Sequence, residues 1–69
     1  MPLSMAAIGE TNIIRKITGK DELRRHLAEM GFVVGASITV ISKNNGNMIL
    51  SVKDSRVALD KTITNRIIV

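Results

Sequence analysis

The feature that most constrains this chain is that a small hydrophobic core has to hold it together without covalent help. It has 69 residues and no cysteine, so it can form neither a disulfide nor a thiolate metal site. A domain of this size buries only about 60% of the surface that its unfolded chain exposes. Hydrophobic residues make up 45% of the chain, which is normal for a globular protein and predicts one folded domain over residues 1–69.

The same composition predicts a location. Small secreted domains are commonly stabilised by disulfides, so a chain without cysteine is more typical of the cytoplasm. Its apolar runs are only a few residues long, against about 20 for a membrane span, and no N-terminal segment resembles a signal peptide. We therefore expect a soluble cytoplasmic protein.

The first strand is predicted over residues 11–17, which are rich in β-branched side chains. Ile13 and Ile14 are adjacent, and Ile14 and Ile17 are an odd number of positions apart, so regular alternation would place these side chains on opposite faces. A β-bulge would reconcile them. The segment before this strand offers three apolar side chains for burial, which are Leu3, Met5 and Ile8.

One helix is predicted, over residues 20–30, with an apolar stripe formed by Leu23, Leu27 and Met30. Asp21 is the candidate N-cap. Gly31 stands where a left-handed residue usually ends a helix, and in that ending Phe32 would pack on Leu27.

Two strands follow, over residues 37–42 and 48–53. Asn45-Gly46 is typical of a two-residue hairpin turn, but that turn would pair Val40 with Ser51. A three-residue loop pairs Val40 with Leu50 and keeps the apolar side chains on one face. We therefore predict the longer loop.

The rest of the chain predicts a turn at residues 54–55, a fourth strand over 57–59, one helical turn capped by Asp60 and a fifth strand over 67–69. Short strands in so small a chain favour closure, because closure hides the unpaired strand edges. The predicted fold is mainly β with one inserted helix, a small SH3-like five-stranded barrel.

Reactive side chains are scarce. The only histidine, His26, lies beside two arginines, and no pair of carboxylates is marked as a site. Glu22 and His26 are four residues apart on the helix, but two ligands do not make a metal site. We predict no enzyme, no catalytic or metal-binding residue and no cofactor. Only an oligomer would assemble enough ligands to share a metal ion.

Ten Lys and Arg residues against six Asp and Glu residues give a net charge of +4. An ordinary solvated surface is the simplest explanation of these charges, but the balance raises the expectation of an acidic partner and keeps open an alternative function as a basic small-barrel module that binds nucleic acid or acidic protein surfaces. The positive residues are scattered, and one phenylalanine is the only aromatic residue, so nucleic acid is the weaker choice.

One stretch of sequence resembles a known family. Residues 27–35, Leu-Ala-Glu-Met-Gly-Phe-Val-Val-Gly, are similar to the signature R-L-x-x-[ML]-G-[FLI]-x-x-G of the FeoA domain family. Gly9-Glu10 before the first strand, Ile38-Thr39-Val40, Gly46 and Val57-Ala58-Leu59 extend the resemblance over nearly the whole chain. His26 stands where the family usually has arginine.

The resemblance implies an SH3-like domain and a non-enzymatic accessory or regulatory role in bacterial ferrous iron uptake. The implied partner is a membrane-embedded ferrous iron transporter with a cytoplasmic GTPase domain, which would bring the protein to the inner membrane as a peripheral component. Apolar residues near the N-terminus would also allow a homo-oligomer. We predict partner contacts on the solvated helix face and at the hairpin tip, by Arg24, Arg25, His26, Glu29, Lys43 and Asn44.

Overall fold

The protein contains six short strands in the computed structural model, which describes residues 1–69. In chain order the elements are a 3₁₀ turn (Leu3–Met5), β1 (Thr11–Ile13), β2 (Lys16–Ile17), α1 (Asp21–Glu29), β3 (Ser37–Asn44), β4 (Asn47–Val52), β5 (Ser55–Leu59), α2 (Lys61–Thr64) and β6 (Ile67–Ile68). One antiparallel sheet has the order β1-β3-β4-β5, and β2 pairs with β6 in a second sheet. The mainly β fold with one inserted helix is confirmed, but it has six strands in two sheets, and neither sheet closes on itself as a five-stranded barrel would.

The predicted first strand is two strands that belong to different sheets. The N–H of Ile14 donates to the carbonyl of Ala36 (3.0 Å), and the N–H of Arg15 donates to the carbonyl of Ile68 (2.8 Å). The chain therefore leaves one sheet and joins the other between these two residues. This change of sheet leaves the Ile13 side chain 50% exposed while that of Ile14 is buried. A corner between sheets, and not a bulge within one strand, accounts for the broken alternation.

The start of α1 differs from its prediction. Lys20 is the N-cap residue and makes no side-chain cap, whereas Asp21 is already the first helical residue. The Asp21 carboxylate accepts a hydrogen bond from the Arg24 guanidinium and forms an ion pair with it. Asp21 thus stabilises the first turn through its charge and not as a cap.

The end of α1 is as predicted. Gly31 is left-handed, with φ of +99°. The N–H of Phe32 donates to the carbonyl of Leu27 (2.9 Å) and that of Gly31 to the carbonyl of Ala28 (3.0 Å), the two bonds of a Schellman motif. Phe32 and Leu27 are both fully buried in the same core cluster.

The β3–β4 hairpin has the predicted strand register but a different turn. Val40 pairs with Leu50, as expected. The turn, however, has two residues, Asn45 and Gly46, with φ of 50° and 87°. A register shift at Ile41 inserts one residue into β3, so the short turn and the burial of the apolar face are compatible. The prediction of a three-residue loop was wrong because a bulge within the strand supplies the extra residue.

Twelve buried hydrophobic residues form one core, and they come from both sheets, α1 and the N-terminal turn: Leu3, Ala6, Ile14, Leu27, Phe32, Ile38, Val40, Met48, Leu50, Val52, Leu59 and Ile67. Leu3 is buried as expected. Met5 and Ile8 are 69% and 60% exposed, because Ala6 takes the second inward position after the 3₁₀ turn. Neither α-helix has the length and apolar character that crossing a membrane requires.

Asp60 caps α2, as predicted, by accepting a hydrogen bond at Oδ1 from the N–H of Ile63 (3.0 Å). Replacing Asp60 with alanine should lower the free energy of unfolding by about 1 kcal/mol, the usual cost of losing such a cap. Urea denaturation measures the change. Asp60→Asn is the matched control, because asparagine caps about as well as aspartate and should keep most of the stability. Equal losses in both variants would contradict a capping role.

Candidate functional site

An open groove lies between α1 and the segment formed by α2 and Arg66, which directly precedes β6. Its volume is about 860 Å³, within the range of binding clefts. Two half-buried apolar side chains, Leu23 and Ile63, pack against the core and form its base. The remaining lining residues are polar or small, namely Gly19, Lys20, Glu22, Arg25, His26, Glu29, Thr62 and Arg66. We call this feature the helix groove.

The spacing of residues along α1 explains which side chains line the helix groove. Glu22, Arg25, His26 and Glu29 recur at intervals of three and four residues, so they share one face of the helix. The adjacent face carries Leu27 into the core. The helix groove therefore borders the core along one side of α1, which is why its base is apolar and its rim is charged.

The rim of the helix groove has a positive excess. Its permanent cations are Lys20, Arg25 and Arg66, against the carboxylates of Glu22 and Glu29. None of these groups forms an ion pair with another, since the ion pair of the structure joins Arg24 to Asp21. The charges of the rim are therefore available to a partner.

A second, smaller groove lies at the tip of the β3–β4 hairpin, with a volume of about 250 Å³. Its lining comes from the hairpin tip, the 3₁₀ turn and α2: Ser4, Lys43, Asn44, Asn45, Gly46, Asn47, Met48, Lys61 and Thr64. We call it the hairpin groove. The short helix α2 separates the two grooves, because Thr62 and Ile63 line the helix groove while Lys61 and Thr64 line the hairpin groove.

The structure divides the predicted contact residues among three places. Three of them, Arg25, His26 and Glu29, line the helix groove, and two, Lys43 and Asn44, line the hairpin groove. Arg24 lines neither groove and is paired with Asp21.

Seven lining residues of the helix groove were not among the predicted contacts: Gly19, Lys20, Glu22, Leu23, Thr62, Ile63 and Arg66. Leu23 was assigned to the core stripe, which its half-burial partly supports. Ile63 and Arg66 lie 34 and 37 positions after Glu29, the last residue of α1, and no local pattern predicts which helix face they will contact. Only the folded path of α2 and β6 places them there.

The site has the character of a contact surface. An apolar base surrounded by unpaired charges is the arrangement of a protein-docking surface, where the centre is apolar and the rim polar. No three His, Asp or Glu side chains come close enough together to hold a metal ion. Every buried side-chain nitrogen or oxygen has a hydrogen-bond partner.

Comparison with known proteins places this chain among iron transport proteins by sequence. The FeoA domain family matches residues 1–69. The protein assigned as Fe(2+) transport protein A in Methanocaldococcus jannaschii is 34% identical over 68 residues, which cover 99% of this chain and 83% of that protein.

Solved structures of FeoA proteins have the same fold as this chain. The crystal structure of an iron uptake regulatory protein, FeoA, superposes with a TM-score of 0.89 at 32% identity, over 97% of this chain and 91% of that one. Stenotrophomonas maltophilia FeoA, solved with zinc and described as an SH3 domain protein, shares the fold, with a TM-score of 0.85 at 23% identity over 99% and 87% of the two chains. The SH3-like character of the fold is thus shared with FeoA structures. The chain belongs to the FeoA domain family, a family of ferrous iron transport accessory proteins.

Proposed function

We propose that this protein is a non-enzymatic, cytoplasmic accessory and regulatory protein of ferrous iron uptake. It binds the cytoplasmic, GTPase-containing part of a membrane-embedded ferrous iron transporter and is held peripherally at the inner membrane by that partner. Membership of the FeoA domain family supports the role in iron transport. The single observation that carries the docking mechanism is the helix groove, with its apolar base and unpaired charged rim.

The helix groove defines what a partner segment needs. Leu23 and Ile63 are half-buried, so an apolar side chain of the partner inserted between them would cover the part of their surface that still contacts water. Arg25 and Arg66 on the rim favour acidic residues beside that apolar anchor. A transporter segment with an apolar residue flanked by carboxylates therefore fits the helix groove best.

Within the predicted contact set, we place the main contacts at Arg25, His26 and Glu29, which line the helix groove. Lys43 and Asn44 lie beyond α2 in the hairpin groove and would extend the contact only for a partner that crosses this short helix. Arg24 points its guanidinium at Asp21 and contributes less.

A matched pair of charge reversals tests the proposal. Arg25→Glu should lower capture of the transporter by about tenfold, because it reverses an unpaired rim charge of the helix groove. Arg24→Glu, one residue away and outside the groove, should change capture by less than about twofold. Each variant creates like-charge neighbours on α1, Arg24→Glu beside Asp21 and Arg25→Glu beside Glu22 and Glu29, so both should lose a few tenths of a kcal/mol in stability.

The measurement is quantitative pull-down of the tagged protein from nuclease-treated membranes, with circular dichroism to confirm the fold of both variants. Equal loss of capture in the two variants would show that overall charge, and not the helix groove, controls binding. Full capture by Arg25→Glu would remove the helix groove from the proposal.

A further inference from the structure

The hairpin groove has an unusual charge composition. Two of its lining residues, Lys43 and Lys61, are cationic, and none is acidic. Met48 is its one hydrophobic lining residue, and the others are asparagine, serine, threonine or glycine. The cavity therefore offers positive charge and hydrogen-bond donors with no carboxylate to compete for them.

The fold builds this composition from distant parts of the sequence. The two-residue turn at Asn45-Gly46 brings three asparagines to the hairpin tip, and α2 packs against β4 beside it. This packing brings Lys61 and Lys43 into the lining of the same small cavity.

The acidic residue nearest to Lys61 in the sequence is occupied elsewhere. Asp60 accepts the N–H of Ile63 at 3.0 Å as the cap of α2, and it does not line the hairpin groove. Thr64, which is fully buried at the cavity wall, donates its hydroxyl to the carbonyl of Lys61 at 3.4 Å. Neither lysine forms an ion pair, so both ammonium groups are available to a ligand.

We propose that the hairpin groove binds a phosphate group. Lysine binds phosphate as a point charge, and the side-chain amides of the three lining asparagines can donate to the remaining phosphate oxygens, whereas the hydroxyls of Ser4 and Thr64 already donate to Asn65 and to the carbonyl of Lys61. The volume of about 250 Å³ lies below that of clefts for drug-sized ligands, so it suits one small anion or a headgroup. Two lysines without a carboxylate disfavour a metal cation. The inference does not rest on transporter binding, because the two grooves lie on opposite sides of α2.

Amide NMR titration with inorganic phosphate tests the proposal, with sodium chloride at matched ionic strength as the blank. Phosphate should cause saturable shifts confined to residues 43–48 and 61–64. Lys43→Gln and Lys61→Gln should each lower the phosphate affinity by about tenfold, as expected for loss of one charge-assisted hydrogen bond. Lys53→Gln is the control, because Lys53 lines neither groove and its loss changes the net charge equally.

Vesicle sedimentation separates the two sources of phosphate. Binding to phosphatidylglycerol vesicles but not to phosphatidylcholine vesicles, lost in the Lys43→Gln/Lys61→Gln double variant and kept in Lys53→Gln, assigns a lipid headgroup. Phosphate binding without vesicle binding assigns a soluble phosphate ligand. Shifts that do not saturate, shifts that persist in the double variant, or the absence of binding in both assays would overturn the proposal. All three lysines are exposed, so each variant should fold.

Discussion

Replacing Phe32 with alanine is expected to lower the free energy of unfolding by about 3–5 kcal/mol, the usual cost of removing a buried aromatic side chain. Phe32 is the one aromatic residue of the chain and is fully buried. A domain of this length has a total stability of about 3–10 kcal/mol, estimated from typical values per residue. The loss is therefore a large fraction of the total, and we expect the midpoint of urea unfolding of Phe32→Ala to fall far below that of the unsubstituted protein.

Urea denaturation followed by circular dichroism measures this loss. Val34→Ala is the matched control, since Val34 lies two residues away in the same loop and is 66% exposed, and its free energy of unfolding should change by less than about 0.5 kcal/mol. A loss below about 1 kcal/mol for Phe32→Ala would show that the core does not depend on this side chain.

Replacing Gly31 with alanine should cost about 2–3 kcal/mol, from two separate causes. Gly31 has φ of +99°, a conformation that alanine adopts only at a cost of about 1–2 kcal/mol. An added Cβ would also lie 3.2 Å from Cγ2 of Val52, so a fully buried neighbour would have to move. Because Gly31 ends α1 and directs Phe32 inward, the strain acts directly on the core.

Gly46→Ala separates the two causes. Gly46 has φ of +87°, but an added Cβ there meets nothing within 4 Å. Its free energy of unfolding should therefore fall by the backbone cost alone, about 1–2 kcal/mol. Thermal and urea unfolding of both variants would show the difference. Equal losses would mean that the contact with Val52 adds nothing.

The sequence features that predicted structure correctly are those in which local chemistry and burial agree. Gly31 and Phe32 marked the end of α1 because a left-handed glycine and a hydrophobic residue after it form a local motif. Asp60 marked the start of α2 because an N-cap is also a local motif, in which the carboxylate accepts a hydrogen bond from an N–H three residues later. The pairing of Val40 with Leu50 followed from burial, since a slip of one residue would turn the apolar side chains of one strand to the outer face.

The features that sequence reasoning missed depend on contacts between distant segments. The change of sheet between Ile14 and Arg15 occurs because one residue bonds to Ala36 and the next to Ile68, and neither partner is visible from the local pattern. The bulge at Ile41 likewise satisfies two requirements at once. The Asn45-Gly46 turn sets one strand register, and burial of the apolar side chains requires another.

The candidate site follows the same rule. The periodicity of α1 predicted a solvated face with Arg24, Arg25, His26 and Glu29, of which the structure places Arg25, His26 and Glu29 in the lining of the helix groove. The opposite wall of the helix groove, with Ile63 and Arg66, depends on how the C-terminal segment folds back. Ion pairing also distinguishes neighbouring residues: Arg24 is paired with Asp21, whereas Arg25 forms no ion pair and lines the helix groove.

The most direct test of docking through the helix groove is hydrogen–deuterium exchange of the protein alone and bound to the purified ferrous iron transporter in nanodiscs. We expect slower amide exchange in α1 and α2, the two walls of the helix groove, and unchanged exchange in β1 and β5. Protection confined to the four-stranded sheet, or unchanged exchange at saturating transporter concentration, would contradict docking through the helix groove.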